Sequence, residues 1–241
     1  DLIRWSGDKY RFGVVSDTHL CCRYQTISPM RTFYRICQKR GIRTIMHAGD
    51  LVDGQKIYRG QEYEVFVHGA DAQRKYAVEH YPKFKGMQTR VLSGNHDASF
   101  MRETGYDIVA AICEEREDME YVGSTLAFVE FKGIRIAIMH GTGANAYARS
   151  YKPQKIVEQL APPKPNMLLM GHFHSPVILS GYRNVETIQL GCFQAQTPYL
   201  AGKGLFPFVA GLIVTFQLDE IGISNVVYEM VPFYELAEND Y

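Results

Sequence analysis

RFGVVSDTH, residues 11–19, decides how this chain is read. Residues 11–16 form a short apolar run that reads as a strand, and it delivers Asp17 and His19 from its end. Both side chains can ligate metal. The same wording recurs four times. Residues 43–48 lead into Gly49-Asp50, and residues 88–93 into Gly94-Asn95-His96-Asp97. Residues 134–139 lead into His140-Gly141, and residues 167–170 into Gly171-His172-Phe173-His174. Five of the eight histidines fall inside these blocks, so histidine usage follows the blocks rather than the surface.

The segments between the blocks alternate. Residues 27–40 carry helical apolar spacing through Ile27, Met30, Phe33, Tyr34 and Cys37, with Gly41 as a stop. Helices are also predicted over 70–80, 106–117 and 153–160, the last opened by Pro153. Lys132-Gly133 joins the runs 125–131 and 134–139 as a hairpin. Strands follow at 176–180, 185–190, 208–218 and 223–231. This order predicts an α/β fold: a two-sheet β-sandwich flanked by helices, one domain over residues 1–241. Ligands at the carboxyl ends of neighbouring strands converge in one crevice, so five blocks distant in sequence form one site. The chain opens at Asp1 rather than Met, which fits a processed protein or a fragment with an N-terminal domain missing ahead of it.

With 26 basic and 26 acidic residues, no global positive field draws in nucleic acid. Residues 1–60 are locally basic, with eleven Lys or Arg against five acids, and no basic residue follows Lys203. The five cysteines (Cys21, Cys22, Cys37, Cys113, Cys192) show no C-x-x-C spacing and no disulfide framework, which predicts a cytoplasmic protein. No apolar run is long enough to span a bilayer, so no membrane partner is expected.

Asp, His and Asn offer oxygen and nitrogen donors suited to Mn²⁺, Fe or Zn²⁺ rather than Ca²⁺. Asp50 follows a glycine that permits a tight turn, and a carboxylate there can bridge two cations. Each block alone is weak evidence. All five in this order, each after a strand, are strong evidence.

The order D-x-H, G-D, G-N-H-[DE], H, G-H-x-H resembles the calcineurin-like metallophosphoesterase superfamily, and the likeness covers residues 13–174. The resemblance implies a β-sandwich with helices on both outer faces and two divalent metal ions, manganese foremost, with iron or zinc as alternatives. It implies one metal held by Asp17, His19, Asp50 and His174, and a second held by Asp50, Asn95, His140 and His172. His96 would protonate the leaving oxygen, oriented by Asp97. Two cations ~3.5–4 Å apart acidify a shared water and clamp the phosphate oxygens during in-line attack.

The serine/threonine phosphatases of that superfamily read G-D-x-x-D-R-G and G-N-H-E; here Gly54 stands for the Arg and Asp97 for the Glu. The purple acid phosphatases need a tyrosine that Val52-Asp53-Gly54 lacks. The remaining likeness is to the phosphodiesterase and nuclease branch, which includes the exonuclease small subunit of archaeal replicative polymerases. The expectation is a phosphodiesterase or nuclease with a phosphoester substrate, nucleic acid among the candidates, in a homodimer. A small-molecule phosphomonoesterase or cyclic-nucleotide phosphodiesterase is the alternative enzyme. A non-catalytic scaffold is the alternative of another class, and the full ligand set with His96 argues against it.

Outside the blocks, residues 141–152 are read as a substrate loop, with Tyr147 and Arg149 as binding residues, or as a plain connector. Arg102 is a similar candidate. His47 is expected to be buried beside the site, Cys21 and Cys22 to pack, and the insert 54–87 to wall the cleft or to form a partner surface.

Overall fold

Phe12 and Val14 face one way from the first strand and Gly13 and Val15 the other, and this alternation defines the layers. The computed structural model describes residues 9–220, 222–237 and 240. Its strands are β1 (Lys9–Val15), β2 (Thr44–His47), β3 (Gln88–Ser93), β4 (Met119–Ser124), β5 (Leu126–Phe131) and β6 (Ile134–His140). They continue as β7 (Met167–Gly171), β8 (Val177–Tyr182), β9 (Val185–Gln189), β10 (Ala210–Asp219) and β11 (Gly222–Pro232). The helices are α1 (Ile27–Lys39), α2 (Gln61–Glu64), α3 (Ala70–His80), α4 (Ala98–Thr104), α5 (Ile108–Glu115), α6 (Tyr151–Gln159) and α7 (Pro198–Gly202).

One sheet has the order β11-β10-β1-β2-β3-β4 and the other β5-β6-β7-β9-β8. Phe12, Val14, Met46 and Leu92 of the first sheet pack against Ile136, Ile138, Leu169 and Ile188 of the second. Val15, Ile45 and Val91 turn outward and meet Phe33 and Tyr34 of α1, Ala77 of α3 and Ile112 of α5. Leu168 and Ala137 turn outward from the second sheet onto Val157 of α6. The predicted αββα sandwich is therefore the observed one. β7 is buried on both faces, which is why residues 167–170 read as an unbroken apolar run.

β1, β2 and β3 run parallel, as do β6 and β7. Their carboxyl ends share one rim, and the register sets His140 beside Gly171. α1 ends where predicted. Gly41, at φ 73°, takes the left-handed position after the helix, and its N–H donates to Gln38 O.

The differences from the sequence reading are local. The helix expected over 106–117 is shorter, and α6 starts two residues ahead of Pro153, which sits in its first turn where no N–H is needed. β4, α2, α4 and α7 were not anticipated; all are too short or too unevenly buried to show a period. Among the described residues, no helix is long and apolar enough to cross a membrane.

Candidate active site

The loops leaving β1, β2 and β7 are bent in an unusual way. Asp17 (φ 52°), His19 (43°), Asp50 (54°), His172 (86°) and His174 (52°) all hold left-handed backbone. Asp and His tolerate this region better than most residues, yet each still costs on the order of 1 kcal/mol. The loops interlock closely enough to hold that strain. A side chain at Gly49 would come within 2.4 Å of His140 Nδ1, and one at Gly94 within 2.2 Å of Asp50 Oδ1. Asp17 N donates to Gly49 O at 2.9 Å, and His172 N donates to Asp17 Oδ1 at 3.0 Å.

These bends bring the predicted ligand atoms together. His174 Nε2 lies 3.2 Å from Asp17 Oδ1 and 3.3 Å from His19 Nε2. His19 Nε2 is 3.8 Å from Asp50 Oδ2. His140 Nε2 is 3.1 Å from Asp50 Oδ2 and 3.1 Å from Asn95 Oδ1. Two groups follow, Asp17 with His19 and His174, and Asp50 with His140 and His172. The donor set fits divalent cations on two counts. Ligands about 2.1 Å from a metal are separated from one another by about 3.0–3.4 Å, close to the spacings found here. Two histidines also hand their outer nitrogen to an oxygen, His19 Nδ1 to Asp53 Oδ1 (3.0 Å) and His140 Nδ1 to Ala48 O (2.7 Å). Each Nε2 lone pair is then left facing the carboxylates, an arrangement that calls for a positive charge between them.

The electrostatics say what supplies that charge in the metal-free chain. Burial raises the carboxyls of Asp17 and Asp50, but facing histidines outweigh it and hold both well below the usual range. For Asp17 these are His174 and His140; for Asp50, His140 and His96. Burial, and then His96 and His140 respectively, lower His19 and His172, so both are neutral and ready as ligands. His140 goes the other way. Burial lowers it, but Asp50 and Asp17 lift it to about 9. At neutral pH His140 thus keeps a proton that a cation must displace. His174 behaves alike: burial lowers it, but Cys192 and Asp17 hold it well above the usual range. Two ligand protons must therefore leave, and apparent metal affinity is expected to rise up to about 100-fold per pH unit through neutrality. Calorimetry in buffers of different ionisation enthalpy should detect the released protons; metal uptake without release would remove both His140 and His174 from the ligand set.

His96 reaches the cleft from a different base than expected. Its Nδ1 donates to Asp53 O at 2.7 Å, with Asp53 Oδ1 at 3.6 Å, and its backbone N–H donates to Asp50 Oδ1 at 2.8 Å. Asp97, predicted to orient it, instead accepts from the N–H groups of Leu51, Val52 and Gly94 at 3.1, 2.9 and 2.8 Å. Its carboxyl lies beneath the loops and pins the turn after β2 to the turn after β3. Burial and the nearby Asp50 raise it to about 7.

Asp53 is the residue that the sequence reading missed. It touches both His19 and His96 and is itself held by Gln61 Nε2, 2.9 Å from Oδ2. Its signal was present, because it stands three residues after Asp50, where the G-D-x-x-D wording has its second acid. Asp53→Asn keeps the shape but puts a weaker partner, or a second donor, against His19 Nδ1. Metal affinity is expected to fall about 10- to 100-fold in a direct titration. Affinity equal to that of the unaltered chain would show that Asp53 does not support His19.

Around these groups lies a cleft of about 620 Å³. The loop 143–147 and Arg149 line it beside His172, whose Nε2 is bound to Gly143 O at 2.8 Å. Tyr147 is fully exposed on that rim. Tyr58, Tyr199, Lys203 and Phe206 line it too, none of them singled out by the sequence reading. The insert 54–87 thus walls the cleft through Ile57 and Tyr58. Arg102 does not line it; its guanidinium donates at 3.4 Å to Asn95 O, so it braces the ligand loop from outside. His47 is buried against Thr18, with its pKa lowered to about 3 by burial. Cys21 and Cys22 are core residues.

A family model described as the calcineurin-like phosphoesterase superfamily domain matches residues 10–197. The chain is 27% identical over 206 residues to a DNA polymerase II small subunit of Archaeoglobus fulgidus, covering 72% of this chain and 42% of that protein. It is 26% identical over 196 residues to the protein of the same name from Methanothermobacter thermautotrophicus, covering 66% of this chain and 40% of that protein. The chain therefore spans less than half the length of these relatives. A solved structure described as a novel archaeal phosphodiesterase superposes with a TM-score of 0.54 at 17% identity, covering 93% of this chain and 100% of that one, and it shares the fold.

Proposed function

The chain belongs to the calcineurin-like phosphoesterase superfamily, and from that premise we propose that it is a dinuclear-metal phosphodiesterase acting on nucleic acid. The observation that carries the proposal is the convergence of ligand atoms on the floor of an aromatic-walled cleft of about 620 Å³, a volume suited to a nucleotide-sized ester. Asp17, His19, Asp50 and His174 would hold one cation, and Asp50, Asn95, His140 and His172 the other. When bound, such a pair supplies charge for the phosphate oxygens and acidifies a water at neutral pH.

The chain's own residues do the rest. Asp53 fixes His96 Nδ1, which directs Nε2 toward the cleft. As the phosphorus–oxygen bond to the leaving group breaks, His96 Nε2–H gives its proton to that oxygen. Arg149 and Lys203 are the cations lining the cleft besides its histidines, and both suit phosphate oxygens flanking the reacting one. The aromatic rings offer stacking surfaces to unpaired bases. A groove for duplex would need a longer basic track, so single-stranded nucleic acid is the favoured substrate. That relatives are named as DNA polymerase subunits supports a place in nucleic-acid metabolism.

The test is a panel with added Mn²⁺: bis-p-nitrophenyl phosphate, p-nitrophenyl phosphate, single-stranded DNA and RNA. Turnover of the diester and of single strands is expected. Brisk monoester cleavage with no diester turnover would replace this reading by a small-molecule phosphomonoesterase. Failure to bind metal, with no turnover at all, would favour a scaffold.

A further inference from the structure

We propose that Tyr199, backed by Tyr58, is a stacking platform for the base of the leaving nucleotide, a proposal that rests on the phosphodiester reading above. The two rings lie 4.1 Å apart between centroids and 17° from parallel. The Tyr58 ring is 6.4 Å from that of His96, so the pair stands beside the group that meets the leaving oxygen.

The pair is built with care at one buried residue. Glu64 accepts from Tyr58 Oη–H at 2.6 Å with Oε2 and from Tyr199 N–H at 3.3 Å with Oε1. This carboxylate is 7% exposed, and it fixes both the ring from the 54–87 insert and the backbone of α7 that carries the other. Thr197 Oγ1 accepts from Leu200 N at 3.2 Å and starts that short helix. The platform is thus set before any ligand arrives, which lowers the cost of ordering on binding.

A plain structural staple would bury its rings. Tyr199 lines the cleft with 40% of its surface exposed, and Phe206 on the same lining is 79% exposed. Open aromatic surface inside a cleft marks a recognition surface. Lys203 Nζ stands 6.0 Å from the Tyr199 ring centroid and brings a cation to this part of the cleft, where a strand continuing past the leaving base would carry its next phosphate. Arg149 lines the same cleft from the segment 143–149, which reaches His172 through Gly143 O. The two cations therefore suit a substrate that extends on both sides of the scissile bond.

The experiment uses dinucleotides in which one base or the other is replaced by an abasic deoxyribose; product analysis identifies the leaving nucleoside. In the unaltered protein, removing the leaving-side base is expected to lower kcat/KM about 10-fold, within the range of base–aromatic stacking. Tyr199→Ala should lower turnover of the intact dinucleotide by a similar factor while leaving the abasic substrate unchanged, so the ratio of the two falls to about one. Tyr199→Phe should keep the ratio. Tyr199→Leu, which retains apolar packing on Tyr58, should lose it, and it guards against a misfolded alanine variant. Equal cleavage of intact and abasic substrates by the unaltered protein overturns the platform, as does a Tyr199→Ala effect of equal size on both. If no diester is cleaved at all, the functional reading fails instead. The platform is then judged by equilibrium binding of a nucleoside monophosphate against deoxyribose phosphate: preference for the base that is lost in Tyr199→Ala upholds it, and equal binding overturns it.

Discussion

Asp50→Asn is expected to reduce metal uptake from two equivalents to one or none, and to lower diester turnover by about 10³-fold, the scale of losing several kcal/mol of charge stabilisation. The carboxylate has two occupied sides. Oδ1 accepts from His96 N at 2.8 Å, and Oδ2 faces His140 Nε2 at 3.1 Å and His19 Nε2 at 3.8 Å. An asparagine must keep its oxygen on the His96 side, because a backbone N–H is the donor there. Its amide N–H₂ then points at the histidines and at the cations they would hold, so a repulsive donor replaces the bridging oxygen. The packing is otherwise conserved, since the position next to Gly94 leaves no room for a larger group but accepts an isostere. Folding is read independently by thermal melting. The unaltered chain should gain about 2.7 kcal/mol for each of its two sites in metal at a hundredfold excess over the dissociation constant, and the variant one such increment or none. A variant that still takes up two equivalents, with the metal-induced shift of the unaltered chain, would remove Asp50 from the bridging position.

The site was legible in the sequence to the extent that its chemistry is local. Asp17, His19, Asp50, Asn95, His140, His172 and His174 each sit within a few residues of a buried strand end, so strand position and side-chain type together imply convergence. The sandwich followed for the same reason: β1 and β7 announce their burial in their own residues. What failed depended on direction within a loop. Asp97 follows His96 directly, but neighbouring side chains in a turn diverge, and three unpaired N–H groups beneath the loops captured its carboxyl. Asp53 reaches His96 across 43 residues because Leu51 to Asp53 run extended beside Leu20, a pairing between segments that neither shows on its own. The cleft wall was the least legible part. Tyr58 and Tyr199 meet through tertiary packing and a shared Glu64, and nothing within either segment shows that contact.

His96→Asn separates proton transfer from metal binding. His96 lies close to His19, 4.5 Å between ring centroids, and with His19 and Asp53 it forms a third group able to hold a metal. The hydrogen bonds argue for another use. His19 Nδ1 and His96 Nδ1 both converge on oxygens of Asp53, at 3.0 and 2.7 Å, and these are N–H donor contacts rather than lone pairs meeting a cation. His96 therefore keeps Nε2 for the substrate, and its loss should leave two metal equivalents in place. Turnover should depend on the leaving group. A nitrophenolate departs without a proton, so bis-p-nitrophenyl phosphate should lose little. A nucleoside alkoxide needs one, so a dinucleotide should lose about 10²–10⁴-fold, the usual contribution of a general acid. The loss should fall on kcat, because the proton moves only in the transition state. A variant that cleaves both substrates at undiminished rates would end the general-acid role. One that takes up a single metal equivalent would make His96 a ligand, and would move the centre toward Asp53.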